Sequence, residues 1–70
     1  MYQPSNGDRV TVTRTHPGGR TTTWTGTVSS VGPAGFRLAG RGPRGAYDGY
    51  LSSAGELARY GVTQTVTPAV

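Results

Sequence analysis

The stretch Thr21 to Val31, Thr-Thr-Thr-Trp-Thr-Gly-Thr-Val-Ser-Ser-Val, constrains the fold more than any other, because it follows a single period. Thr22, Trp24 and Val28 share one parity with Gly26 between them, and Thr21, Thr23, Thr25 and Thr27 share the other. Alternation of period two in a run rich in β-branched residues is a half-buried strand, with its Trp face inward and its threonine face in solvent. Gly26, lacking a side chain at an inward position, predicts a bulge or sharp bend.

The other segments supply partners for this strand. Residues 1–7 are polar, contain Pro4 and Asn6-Gly7, and read as a loose lead-in. The domain proper spans 8–66. Asp8 to Thr15 predicts a first strand with Val10 and Val12 inward, and His16-Pro17-Gly18-Gly19-Arg20 reverses the chain. After the turn Gly32-Pro33-Ala34-Gly35, Phe36 to Ala39 forms a third strand, Gly40 to Gly45 a flexible basic loop, and Ala46 to Leu51 a fourth strand. Ser53-Ala54-Gly55-Glu56 matches a capping box in which serine and glutamate each satisfy a free amide, so a short helix is expected from Ala54 to about Tyr60, ended by Gly61. Val62 to Val66 is the last strand, and 67–70 is expected to fray. The expected core is Val10, Val12, Trp24, Val28, Phe36, Leu38, Leu51, Leu57, Val62 and Val66.

Strand order and motif together resemble the SH3-like small barrels. Gly7-Asp8-x-Val10-x-Val12 followed by Trp24-x-Gly26-x-Val28-x-x-Val31 is similar to the aromatic-x-Gly-x-apolar strand of Sm-like proteins and, more loosely, to KOW-type barrels. The resemblance implies an all-β fold with minor α content: a five-stranded SH3-like small barrel with one short helix before the last strand. Sm-like proteins that bind RNA carry acidic and amide residues in the turn after this strand. Here the turn is Gly32-Pro33-Ala34-Gly35, and the helix falls late in the chain, as in SH3-like order.

Seventy residues without cysteine leave neither a disulfide framework nor a thiolate metal site, so stability rests on a compact core or on association with another chain, a homo-oligomer included. Seven arginines, no lysine and three carboxylates give a formal charge of +4. Guanidinium forks suit phosphates, so the bias favours a polyanionic partner, although a GC-rich gene would leave the same composition. No segment has the apolar run of a secretory signal or a membrane span, and a cytoplasmic protein with no membrane partner is expected.

Enzyme chemistry is poorly provided for. His16 lies alone in a Pro-Gly loop, Asp8, Asp48 and Glu56 are dispersed, and no catalytic residue, metal site or cofactor is expected. Gly40-Arg41-Gly42-Pro43-Arg44-Gly45 has the spacing of a dinucleotide-binding loop, but Pro43 and the β-prone residues after it deny it the helix that would meet a pyrophosphate. It reads instead as an Arg-Gly segment. Arg41 and Arg44, with Arg37 on the strand before them and Arg14 and Arg20 flanking the first hairpin, are candidate phosphate contacts. Tyr47 and Tyr50 are candidate stacking platforms.

Two function classes follow: a nucleic-acid-binding module, for DNA or RNA, and a protein-interaction or assembly module such as a phage or mobile-element accessory subunit. Arginines on one continuous face favour the first, and arginines scattered around an apolar or tyrosine-rich patch favour the second.

Overall fold

The computed structural model describes residues 3–69. The parts of the lead-in and tail expectations that concern Met1, Tyr2 and Val70 lie outside the described residues. Five strands, β1 (Arg9–Thr15), β2 (Thr21–Gly32), β3 (Gly35–Gly42), β4 (Gly45–Ser52) and β5 (Thr63–Pro68), form one antiparallel sheet in the order β4-β3-β2-β1-β5. One short helix, α1 (Ala54–Ala58), precedes the last strand and packs against it. The fold is all-β with minor α content.

Period two sets the two faces. Val10 and Val12 of β1, Trp24 and Val28 of β2, Phe36 and Leu38 of β3, and Leu51 of β4 are buried and form one cluster. Leu57, Val62 and Val66 are half-buried instead of joining this core, with Val66 packed at its margin. They belong to α1, to β5 and to the turn between them, where a five-residue helix and an edge strand give little cover.

Hydrogen bonding does not close the sheet into the expected barrel, and β4 and β5 remain its two edges among the described residues. A side chain spans the seam: Gln64 Nε2 of β5 donates to the Ser52 carbonyl of β4 at 3.0 Å, while Gln64 Oε1 accepts from Arg14 Nε at 2.8 Å.

Gly26 has another role than the bulge predicted for it. It pairs in regular register with Val10 on one side and Gly40 on the other. A Cβ on Gly26 would run into the Ala39 carbonyl, and one on Gly40 into the Thr25 carbonyl, so the glycine pair lets β2 and β3 approach closely. The register shift lies further on, between Ser29 and Gly32, where Ser30 has φ +52°.

Local chemistry sets the remaining boundaries. Within the lead-in, Gly7 N donates to Val28 O at 2.7 Å and Val31 N to Asn6 Oδ1 at 3.1 Å, which fastens this segment to β2. β5 continues through Thr67 and Pro68, beyond the point where fraying is expected, because proline is tolerated on an edge strand. Ser53 Oγ accepts from Glu56 N at 3.3 Å, half of a capping box. The other half is replaced, since Ser53 N donates to Ala34 O at 2.8 Å and ties the helix entry to the β2–β3 turn. Gly61, at φ +74°, ends the helical segment as expected, with Val62 N donating to Leu57 O and Gly61 N to Ala58 O, each at 3.1 Å.

Candidate nucleic-acid interface

The segment Gly40 to Gly45 is not the flexible loop that its composition suggests. Gly40 to Gly42 belong to β3 and Gly45 to β4, leaving a two-residue turn, Pro43-Arg44. Proline fits the first corner of such a turn, and the ladder continues to its edge, with Arg41 paired to Thr25 on one side and Ala46 on the other. Arg41 is therefore held on a sheet, and only Arg44 sits in the turn.

On the outward face of β3, Arg37 and Arg41 flank Ala39, and the register places Ser29 and Tyr50 on either side of Arg37. Arg37 Nε lies 3.3 Å from Asp48 Oδ1, with both side chains more than half exposed, so the pair contributes ~0–1 kcal/mol. The side chains of Arg41 and Arg44 are exposed and make no hydrogen bond or ion pair among the described residues.

Register adds a residue that the sequence reading left out. Arg9 of β1 pairs with Thr27, which pairs with Ala39, which pairs with Asp48. Arg9 thus stands on the same face about 10 Å from Ala39, two strand spacings away. Its parity with Thr11 and Thr13 was available in the sequence; its place across two strands was not. Around these arginines the outward face is paved with threonine: Thr67, Thr11 and Thr25 lie in one cross-strand row with Arg41, and Thr65, Thr13 and Thr23 lie in the next.

The other candidates stand apart. Arg20 is exposed at the far end of β2, about 17 Å along the strand from Thr25. Arg14 points to the inner side. Its guanidinium lies 5.0 Å from the centre of the Trp24 ring, its Nε bonds Gln64, and burial lowers its pKa from the ordinary arginine value, with the charge interaction with Tyr47 opposing. Such a stack, with its charge partly withdrawn from water, ties the end of β1 to β5 and β2.

The two tyrosines fall on opposite faces. Tyr50 is outward, opposite Arg37, and 54% exposed. Tyr47 is half-buried on the inward side, its ring 6.0 Å from that of Trp24 and tilted by 58°, and its hydroxyl donates to Tyr50 O at 3.4 Å. A cavity of about 190 Å³ opens beside Trp24 and Tyr47 at the β3–β4 turn.

A second, larger groove of about 670 Å³ runs between the β2–β3 turn, the start of α1 and β5, and is lined by Pro4, Val31, Pro33, Phe36, Gln64 and Val66 among others. No three His, Asp or Glu side chains converge on a metal-sized site among the described residues. No helix is long and apolar enough to cross a membrane. No family model matches the chain, and neither the curated proteins nor the solved structures contain a significant match.

Proposed function

We propose that the chain is a small non-enzymatic binding module of SH3-like type, which takes nucleic acid on the outward face of β1–β4. One observation carries this reading: Arg9, Arg37 and Arg41 share one sheet face with Arg44 at its rim, and among the described residues the strand register places one carboxylate, Asp48, on that face. Guanidinium groups spaced on a sheet can each meet a phosphate, while the surrounding threonine hydroxyls donate to phosphate and sugar oxygens. Tyr50 adds an exposed ring beside Arg37 on which a base can stack. The meander of four strands, the helix before the last strand and the return of that strand to β1 support the SH3-like reading.

Salt dependence tests it. Each neutralised phosphate contributes ~0.7–0.9 to the slope of log affinity against log salt, so Arg41→Ala with Arg44→Ala should lower that slope by ~1–2. Neither side chain has a partner among the described residues, and the melting temperature should stay nearly unchanged. An unchanged slope would remove these two arginines from the interface. Absence of oligonucleotide binding even at low salt would sink the nucleic-acid reading.

In that event the larger groove favours the second reading, a protein-interaction or assembly module. Val31 is 42% exposed at its edge, and the free sides of β4 and β5 can accept an added strand from a partner or a second copy.

A further inference from the structure

The cavity at the β3–β4 turn has an aromatic back wall made by Trp24 and Tyr47, and a rim made by Pro43, Arg44 and Ala46. One hydrogen-bond donor is free to serve it. Trp24 Nε1 bonds to none of the described residues, and none of their buried side-chain nitrogens or oxygens lacks a partner, so Nε1 is not sealed in the core. Gly42 borders the same edge of the indole, and any side chain there would fill the space beside it, because a Cβ would stand 2.7 Å from Cδ1 and 3.1 Å from Nε1.

These features select a ligand class. An N–H donor calls for an acceptor, and flat walls call for a planar ring. Cations are disfavoured, because the Arg14 guanidinium already lies over Trp24 and Arg44 stands at the rim. A neutral planar ring with carbonyl acceptors, carried on an anionic chain, answers all three.

Resting on the phosphate-binding reading above, the geometry points to this cavity as a pocket for one nucleobase of a single-stranded nucleic acid. Arg44 lines the cavity itself, and Arg41 lies on the outward face of the strand that leads into the same turn, so a strand that inserts one base passes Arg44 first and meets Arg41 where it crosses to the outward face. A duplex keeps its bases stacked and paired, and cannot offer one to the pocket without unstacking it.

Trp24 is the sole tryptophan, so its fluorescence reports directly on the cavity. The probes are a short oligothymidylate, an abasic strand of the same length and charge, and a duplex, each titrated at low salt. Oligothymidylate should quench Trp24 and bind roughly tenfold or more tighter than the abasic strand, the scale of one base–aromatic contact. Tyr47→Leu, checked for folding by its thermal transition, should abolish most of that difference and leave abasic binding unchanged. Equal affinity for both strands with unquenched Trp24, or tighter binding of the duplex, would overturn the base pocket while the phosphate reading stands. No binding of any probe would overturn both.

Discussion

Gly26→Ala tests the close approach of β2 and β3. The new Cβ would run into the Ala39 carbonyl oxygen and stand 2.7 Å from the Ala39 carbonyl carbon and 3.0 Å from Gly40 Cα. Carbon atoms pack best at ~3.5–4.0 Å, so the strands must part by roughly 0.5–1 Å. All of these are backbone atoms in a continuous ladder, so no side-chain rotation relieves the contact, and the bonds between β2 and β3 must stretch. Overpacking of this kind costs ~1–3 kcal/mol, and replacing a strand glycine by alanine returns ~0.5–1 kcal/mol of backbone entropy. The net loss should be ~1–2 kcal/mol from a domain whose whole stability is on the order of 4–10 kcal/mol. Urea unfolding followed by Trp24 fluorescence reads this as a midpoint lowered by ~1–2 M, for a slope near 1 kcal/mol/M. Thr27→Ala, one position along β2 and exposed, is the control and should shift stability by less than ~0.5 kcal/mol. Gly40→Ala should behave like Gly26→Ala, and the double variant should lose less than the sum, because the first methyl has already parted the strands. An unchanged or raised midpoint for Gly26→Ala would refute the reasoning.

Other substitutions probe different joints of the fold. Trp24→Ala removes the largest side chain of the core and should cost ~3–5 kcal/mol, enough to abolish a cooperative thermal transition near the wild-type temperature. Gln64→Ala deletes the acceptor for Arg14 and the donor to Ser52 together, and a loss of ~1–3 kcal/mol in chemical denaturation is expected. Ser53→Ala should cost ~1 kcal/mol by the same measurement, whereas Glu56→Gln should change stability by less, since only the Ser53 side chain makes its half of the cap. A larger loss for Glu56→Gln than for Ser53→Ala would contradict that assignment.

Strand parity was legible in the sequence along β1, β2 and β3 and at Leu51 of the edge strand β4. Val10, Val12, Trp24, Val28, Phe36, Leu38 and Leu51 are buried as their alternation predicts. Leu57, Val62 and Val66 carry the same apolar signal, but how far a side chain is covered depends on what packs over it, and an edge strand with a short helix offers little. An inward glycine has two physical causes, a bulge or a close approach, and one chain read alone does not separate them; hence the bulge fell at Ser30 and not at Gly26. The basic segment was legible as composition and misread as conformation, because Gly and Pro also build tight turns. Arg37, Arg41 and Arg44 are neighbours in sequence and could be grouped directly. Arg9 joins them, and Arg14 leaves for the Trp24 ring, only through cross-strand register, which depends on pairings far apart in the chain.

The strand order also carries a kinetic consequence. β1 to β4 form a meander in which each strand meets the next across a short connection, whereas β5 must find β1, setting Gln64 opposite Arg14 from fifty positions away. Loop-closure entropy makes such an encounter ~2 kcal/mol less favourable than closing a five-residue hairpin. The three hairpins can therefore zip in succession while the last strand is still detached, and β5 docks after them. In native-state amide exchange, the β1–β5 amides should open through a partial unfolding that leaves the β2–β3 amides protected, so the strand that docks last is also the first to leave.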